Sequence, residues 1–325
     1  MRHAVGSAVV AAALVVVTGC GGSNSSREPE ASSAQSPSVA VTPSRSPSQA
    51  HSQSGPSSPA TPRPVVSKLL VFVLENHSLD QMRAQLPYTF SLAQRYGYAT
   101  NYQALTHPSL GNYLAMLGGS TFGVTDDDPP SAHPISGSSV FGQALASGQT
   151  AGLYAEGMPT PCATENGGDR YVVKHNPWAY FVDERASCQQ HDVSLTPLAA
   201  DAATGRLPDV GMVIPDLCHD AHDCDAATAD AWLRTQLEPL FAEPDWRAGR
   251  LAIVVTADED DHNQDNLVLT TVLHPSLHGV VVDTPLSHLS LARFYDEVLG
   301  LPALREAAGA PSMAAAFGLS VAGAA

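Results

Sequence analysis

Side chains that could bind a metal follow each of three apolar runs in this sequence. They are Glu75 and Asn76 after the first run, Asp216, Asp220 and His222 after the second, and Asp258 and Glu259 after the third. Carboxylates that gather in one place repel one another unless a proton or a cation lies among them. Oxygen ligands with a nearby His suit a hard or borderline divalent ion. The set therefore predicts a divalent metal site, provided that the three runs end side by side.

Ser109 is the candidate nucleophile, because it stands where a helix is expected to begin. The apolar pattern from Leu110 onwards is helical. Backbone N–H groups at a helix N-terminus favour an anion, and Asn112 can donate its amide to a phosphoryl oxygen. A hydroxyl beside a divalent metal becomes a usable nucleophile. Ser is also a preferred helix N-cap, so a purely structural role is the alternative.

The three apolar runs are expected to be buried strands that place these side chains. They are Leu69–Leu74, Val210–Ile214 and Leu251–Val255, and helical patterns occur at Leu110–Leu117, Val140–Ala146, Ala226–Phe241 and Leu289–Val298. Strands that are apolar on both faces are typical of a parallel sheet covered by helices on each side. We therefore expect an α/β fold, with a doubly wound, mostly parallel sheet between helices. Ligands bind such sheets beyond the carboxyl ends of the strands.

The first 19 residues are interpreted as a lipoprotein-type signal peptide. Arg2 supplies a positive start, Val9–Val17 is an apolar run too short to span a membrane comfortably, and small residues precede Cys20. In this interpretation Cys20 is lipidated, and the protein is held at the outer face of the bacterial cell membrane only through that lipid. The alternative is a plain secretory signal and a secreted protein.

Residues 20–64 are expected to be a disordered tether. Residues 21–64 include 14 Ser and 8 Pro among 44 positions, a composition that cannot bury enough apolar area to offset the entropy of ordering. Residues 65–325 then form one folded domain, with a short Ala-rich tail that we expect to be mobile. The run Asp126–Pro130 is interpreted as a solvated turn, with calcium binding by its acidic residues as the alternative.

The cysteines fit an exported protein. Without Cys20, four remain in the folded domain, an even number. We favour two local disulfides, Cys162–Cys188 and Cys218–Cys224. The alternative for the second pair is a zinc knot that also uses the intervening histidines.

The net charge of the protein bears on which molecules it can bind. The net charge is −16 with a pI near 5.0, which argues against nucleic acid as a partner held by a basic face. Lys68 and Lys174 are the two lysines. Lys174 is a candidate for neutralising phosphate, with an ordinary exposed Lys as the alternative.

An ordered set of motifs resembles one known family. The motifs are Glu75–Ser78, Thr106–Tyr113, Tyr154–Pro159, Lys174–Pro177, Pro215–Asp223, Asp258-Glu259 and His288. Together they look like the phosphoesterase family of bacterial acid phosphatases and type C phospholipases, within the alkaline phosphatase superfamily. The resemblance covers about residues 69–304 and is greatest to exported acid phosphatases. It implies the superfamily's three-layer sandwich and one or two divalent metal ions.

The resemblance also implies roles for single residues. Glu75, Asn76, Asp258 and Glu259 match the metal ligands, Asn76 also lies near the phosphate, and Ser109 matches the nucleophile. His175, His222 and His288 match histidines that surround the phosphate or bind a second metal in relatives; we expect His288 or His222, before His175, to protonate the leaving group. Asp216 stands where many relatives have Asn, which puts its role in doubt. His77, Leu79 and the lack of Gly-Gly after Glu259 depart from the phospholipases.

The expected function is that of an exported, metal-dependent acid phosphatase. Phosphate monoesters, phosphoinositides included, would be hydrolysed through a phosphoserine at Ser109. Two alternatives stay open, a phospholipase C-type phosphodiesterase and a non-enzymatic phosphate-binding lipoprotein. A sulfatase is disfavoured, because the Cys or Ser followed by Pro and Arg that sulfatases require is absent around Ser109.

Overall fold

The structure is a computed structural model that describes residues 64–168 and 170–323. The predicted signal peptide, Cys20 and residues 20–63 of the predicted tether lie outside the described residues. Among the helices that the structure describes, none combines the length and the hydropathy needed to cross a membrane.

Strands and helices alternate along the chain, as the sequence predicts. In the described residues the strands are β1 Lys68–Leu74, β2 Gly97–Ala99, β3 Tyr102–Gln103, β4 Ala151–Ala155, β5 Asp192–Ser194, β6 Val210–Ile214, β7 Leu251–Ala257, β8 Thr270–Leu273, β9 Val280–Val282 and β10 Leu286–Ser287. The helices are α1 Leu79–Gln85, α2 Pro87–Arg95, α3 Leu110–Gly118, α4 Val140–Ala146, α5 Arg185–His191, α6 Leu198–Ala203, α7 Ala226–Leu240, α8 Pro244–Arg247, α9 His288–Leu299 and α10 Met313–Phe317. Short three-ten helices span Val173–His175, Pro177–Tyr180, Val182–Glu184 and Arg305–Gly309.

A mixed sheet forms the centre of the domain. Its strand order is β5-β4-β6-β1-β7-β8-β2-β9, and β10 pairs with β3 in a separate ribbon. The five strands from β5 to β7 are mutually parallel, whereas β8 runs antiparallel to both β7 and β2. The predicted fold class is confirmed. The three predicted strands β6, β1 and β7 are neighbours, so their carboxyl ends share one edge.

Helices pack against the sheet in two groups. Phe72 of β1 meets Trp232 of α7 with ring centroids 6.3 Å apart, and α7 also contacts α1, α2 and α6. In the other group, Tyr295 of α9 packs on Phe141 of α4 and donates a 3.0 Å hydrogen bond to the carbonyl of Gly211 in β6. Every residue of β1 except Lys68 is buried, as expected for a strand covered on both faces.

Both predicted disulfides are present. Cys162 is bonded to Cys188 and Cys218 to Cys224, so the thiolates of a zinc knot at the second pair are not available. The Ala-rich end differs from our expectation of a mobile tail, because α10 buries Met313 and Phe317 and Val321 bridges to Val66 near β1. Its apolar side chains explain the difference, since they complete the core beside α9.

Candidate functional site

Glu75 lies at the centre of the candidate site, directly after β1. Its side chain is completely buried. Oε1 accepts a 2.7 Å hydrogen bond from the Ser109 hydroxyl, and Oε2 lies 2.9 Å from Nε2 of His175 and 3.3 Å from the Tyr113 hydroxyl. Burial alone would raise the pKa of Glu75, but the charges of His175 and Lys174 outweigh it and lower this pKa to about 2. Glu75 is therefore an ionised carboxylate even in acid.

Ser109 begins α3 but does not cap it. Its hydroxyl points to Glu75, and the N–H of Leu110 instead donates a 3.0 Å hydrogen bond to Oδ1 of Asp127. Asp127 thus satisfies the N–H of the first residue of α3, while the Ser109 hydroxyl makes no capping bond and donates to Glu75. Gly111 allows α3 to pack closely against the loop that contains Thr106, because a Cβ at position 111 would stand 2.7 Å from Cγ2 of Thr106.

Lys174 brings a positive charge to Ser109. Its Nζ lies 3.4 Å from the Ser109 hydroxyl oxygen, 3.8 Å from Oε1 of Glu75 and 3.0 Å from Oδ2 of Asp127. Burial alone would lower the pKa of Lys174, but the charge of Glu75 and the hydrogen bond to Asp127 raise it. Asp127 thus holds both the first turn of α3 and the ammonium group. The sequence-based interpretation of Asp126–Pro130 as a solvated turn was wrong for Asp127.

His175 is sandwiched between two carboxylates. Nε2 faces Glu75, and Nδ1 lies 3.4 Å from Oδ2 of Asp220, a residue that follows β6. The ring also stacks on Tyr113 with centroids 4.9 Å apart. Burial alone would lower the pKa of His175, but the two carboxylates raise it to about 10. In the absence of another cation His175 is therefore an imidazolium, paired with Glu75.

Asp258, Glu259 and Asn76 bring further oxygens to the same edge. The N–H of Asn76 donates to Oδ1 of Asp258 at 3.1 Å, whereas Oδ2 of Asp258 and Oδ1 of Asn76, both buried, find no hydrogen-bond partner among the described residues. Burial and the charges of Glu75 and Glu259 raise the pKa of Asp258 well above its usual range. Burial and the charge of Glu75 raise the pKa of Glu259 to about 8.

The donor set fits a divalent cation. Three buried carboxylates and two unpaired amide or carboxylate oxygens in one place are unfavourable unless a positive charge lies among them. Glu75, His175 and Asp220 also place ligand atoms within 4.8 Å of one another. The group that the structure places within reach of one ion is therefore Glu75 with His175 and Asp220, and the predicted ligands Asn76, Asp258 and Glu259 at the same edge stay a prediction. The structure adds His175 and Asp220 as candidate ligands that face Glu75.

Two other predicted residues have their polar atoms engaged within the protein. Oδ1 of Asn112 accepts hydrogen bonds from the N–H groups of Leu105 and Thr106, and its amide donates to the Thr106 carbonyl and to Glu259. His288 is buried, with Nε2 against the Asp258 carbonyl at 2.5 Å and Nδ1 against the Tyr102 hydroxyl at 3.1 Å. Burial lowers the pKa of His288 to about 4, so it is neutral.

His222 is not brought into this group. Its ring lies 2.8 Å from Asp223 and is 36% exposed. Only its N–H joins the site, through a 2.8 Å hydrogen bond to Oδ1 of Asp220. Asp216 likewise faces its own loop, where it accepts from the N–H groups of Cys218 and His219.

Three residues that contact this site were not predicted. Tyr113 and Asp127 are described above, and His107 lies with Nδ1 3.2 Å from Oε2 of Glu259. His107 and Tyr113 stand in the helix-start motif, and Asp127 stands in the loop that follows α3. Only tertiary contacts assign these three residues a role. Asp127 stands nine residues after the end of α3, and a polar residue in such a loop carries no signal by itself.

Comparison with known proteins gives a family-level match. The profile of the Phosphoesterase family matches residues 81–276. A phosphatidylinositol-3-phosphatase of Mycobacterium tuberculosis is 29% identical over 265 residues, which cover 80% of this chain and 85% of that protein.

Fungal proteins are also similar. An acid phosphatase of Aspergillus fumigatus is 30% identical over 219 residues, which cover 63% of this chain and 48% of the fungal protein. A phosphate-repressible acid phosphatase of Penicillium chrysogenum is 29% identical over 220 residues, which cover 63% of this chain and 52% of that protein. The chain thus spans about half the length of these fungal relatives.

Among solved structures, a protein in the alkaline phosphatase superfamily from Vibrio parahaemolyticus is similar with a TM-score of 0.52. The sequences are 10% identical, and the match covers 75% of this chain and 68% of that chain. At this identity the likeness shows the fold alone.

Proposed function

The chain belongs to the Phosphoesterase family of phosphoric ester hydrolases, and from this premise we propose that it is an exported, metal-dependent acid phosphatase. The family suggested by the sequence motifs is confirmed. The proposed substrates are phosphate monoesters, and the proposed route is a phosphoserine intermediate on Ser109. One observation carries the proposal: the Ser109 hydroxyl lies 2.7 Å from the ionised Glu75 and 3.4 Å from the Lys174 ammonium.

The reaction divides into two displacements. Ser109 Oγ attacks phosphorus, the Oγ–P bond forms, and the P–O bond to the leaving alcohol breaks; water then cleaves the Oγ–P bond and releases phosphate. Glu75 orients the hydroxyl by accepting its hydrogen bond. Lys174 stabilises the negative charge on the phosphoryl oxygens, an interaction that matters here because the protein as a whole carries a net charge of −16.

The proposed metal ion has one role in this mechanism. A divalent ion held by Glu75, Asn76, Asp258 and Glu259 would supply positive charge that favours the ionised Ser109 hydroxyl and the phosphoryl oxygens. The further candidate ligands are His175, whose Nε2 lies 2.9 Å from Oε2 of Glu75, and Asp220, whose Oδ2 lies 3.4 Å from Nδ1 of His175. The acidic residues and His175 are buried at this edge of the sheet, and Asn76 is half-buried with its Oδ1 buried.

Glu75 can accept the hydrogen bond of Ser109 even in acid. The pKa of Glu75 is lowered to about 2, so it stays ionised in acid. His288 and His175 have their ring nitrogens directed at protein groups, and His222 is exposed on a neighbouring loop. We keep the prediction that one of these three histidines, His288, His222 or His175, donates the proton to the leaving alcohol.

Export and anchoring belong to the proposal as well. The two disulfides support an oxidising, extracytoplasmic location. Lipidation of Cys20 rests on the sequence pattern, and globomycin-sensitive processing or mass spectrometry of the mature N-terminus would test it. An unmodified mature N-terminus would overturn the lipoprotein assignment and leave the secreted alternative.

A small substrate panel tests the proposed activity. We expect p-nitrophenyl phosphate to be hydrolysed faster than bis-p-nitrophenyl phosphate, and a chelator to abolish turnover. Phosphatidylinositol 3-phosphate belongs in the panel because of the name of the mycobacterial relative. Preference for the diester would favour the phosphodiesterase alternative, and phosphate binding without turnover would favour the binding lipoprotein.

A further inference from the structure

A second group of metal-binding side chains lies beside the site, around the loop that follows β7. Nε2 of His107 is 3.1 Å from Oδ1 of Asp260. With a ring nitrogen of His262, these donors form a set whose three ligand atoms all lie within 4.8 Å of one another. Two ligands that are each about 2.1 Å from one ion stand about 3 Å apart, so the His107–Asp260 separation already suits a shared ion.

The loop holds its carboxylate in place by backbone hydrogen bonds. Oδ1 of Asp260 accepts from the N–H of His262 at 2.9 Å, and Oδ2 accepts from the N–H of Gln264 at 2.6 Å. The N–H of Asp260 in turn donates to Oδ1 of Asn266 at 3.2 Å. Asp260 is buried, while His107 is half-buried and His262 is exposed. The carboxylate is therefore fixed and the His262 side chain is free to adjust.

A cavity gives an ion access to these donors. It has a volume of about 450 Å³, and His107, Asp260, His262 and Asp265 all line it. The His107 and His262 rings lie next to each other in its wall, with centroids 4.0 Å apart. Asp265 adds a second negative charge to the wall, which favours entry of a cation.

We propose that His107, Asp260 and His262 form a second divalent-cation site, distinct from the group around Glu75. Two imidazoles and one carboxylate are borderline ligands, which select an ion such as Zn²⁺ over Mg²⁺ or Ca²⁺. The far nitrogen of His107, Nδ1, lies 3.2 Å from Oε2 of Glu259. A carboxylate beside the ring nitrogen that does not bind the metal commonly supports a metal-bound imidazole. A cation bound to Nε2 of His107 would therefore also fix the position of Glu259.

Metal counting on the full-length protein tests the proposal. Wild type, His262→Ala and His278→Ala are dialysed to equilibrium against buffered Zn²⁺, and bound zinc is measured by mass spectrometry. His278 is an exposed His outside the group and serves as the matched control. We expect His262→Ala to lose about one equivalent of Zn²⁺ and His278→Ala to lose none. Equal zinc content and equal affinity in all three proteins would overturn the proposal.

A third variant separates this proposal from the proposed function. Asp258→Asn removes a ligand of the catalytic group but leaves His107, Asp260 and His262 intact. We expect it to lose phosphatase activity while retaining the equivalent of zinc that His262→Ala lacks. Loss of that equivalent in Asp258→Asn as well would count against a distinct second site. Absence of phosphatase activity in the wild type would count against the proposed function alone.

Discussion

The Ser109 hydroxyl donates a 2.7 Å hydrogen bond to Oε1 of Glu75, although the two residues are 34 positions apart in the sequence. The contact joins the end of β1 to the start of α3. Close to it, Oδ1 of Asp127 accepts a hydrogen bond from the N–H of Leu110, the first residue of α3. A serine held in this way is oriented by an ionised carboxylate, close to a lysine.

Replacement of the proposed nucleophile should abolish turnover without unfolding the protein. We expect Ser109→Ala to lower kcat/KM for p-nitrophenyl phosphate by about 10³-fold or more, because no other hydroxyl takes its place as nucleophile. Tm should change by only a few degrees, since Glu75 retains its contacts with His175 and Tyr113. Ser91→Ala removes an exposed hydroxyl and is the control. Retained activity in Ser109→Ala would exclude the assigned nucleophile.

The two lysines of the chain should behave oppositely when they are replaced. Lys174→Ala should lower kcat/KM by about 10²-fold and weaken inhibition by inorganic phosphate, because a cation beside Ser109 is lost. Lys68 lies at the start of β1, where it bonds the Leu207 carbonyl at 2.6 Å and Asp245 at 2.9 Å. Lys68→Ala should therefore leave kcat/KM unchanged and cost about 1–3 kcal/mol of stability. Steady-state kinetics and urea denaturation of both variants distinguish the roles, and equal activity losses would contradict them.

Stability should decrease as pH rises from 5 to 7. Burial raises the pKa of Asp192 to about 8 and that of Asp296 to about 7. In the folded protein Asp192 keeps its proton over this range and Asp296 keeps most of its own until the pH approaches 7, whereas the unfolded chain releases them above about pH 4. Unfolding therefore releases protons, and each group lowers the free energy of unfolding by about 1.4 kcal/mol per pH unit.

Urea denaturation at several pH values checks this slope, with the divalent ion in excess. We expect Asp192→Asn to make the slope less negative by about 1.4 kcal/mol per pH unit, because Asn does not titrate. Asp223→Asn, which changes an exposed carboxylate, should leave the slope as in the wild type. A slope in Asp192→Asn equal to that of the wild type would contradict the buried, protonated state of this carboxyl.

The central part of the fold could be predicted from the sequence because its strands are long and apolar on both faces. β1, β6 and β7 were predicted within two residues, and they are neighbours in the sheet. The strands β2 and β9, with three residues each, carry too little pattern to be recognised. The strand β8 was not predicted either. Its antiparallel direction depends on the loop that precedes it.

The site was only partly predictable, for a different physical reason. Glu75, Asp258 and Glu259 follow strands directly, so the edge of the sheet fixes where they lie. Histidines on loops have no such constraint: His175 turns inward between Glu75 and Asp220, whereas His222 turns outward to Asp223. His107 next to Glu259 could have been noticed from its place two residues before Ser109, but its direction could not.

The two disulfides should contribute unequally to stability, because they close loops of different length. Cys162–Cys188 has a sequence separation of 26 and Cys218–Cys224 a separation of 6. Chain entropy then predicts losses of about 3–4 kcal/mol when the first pair is changed to Ala and about 2 kcal/mol for the second.

The first disulfide, Cys162–Cys188, also lies beside the site. Cys188 Sγ is 3.4 Å from Asp192, and Asp192 accepts a 2.8 Å hydrogen bond from Asn176, which follows His175. We therefore expect the Cys162→Ala, Cys188→Ala double variant to lose activity at temperatures below its Tm, and the Cys218→Ala, Cys224→Ala double variant to keep it. Urea denaturation with parallel kcat/KM measurements decides the matter. A larger loss of stability or activity in the second double variant would show that the loop after β6, rather than the Asn176–Asp192 contact, holds the site together.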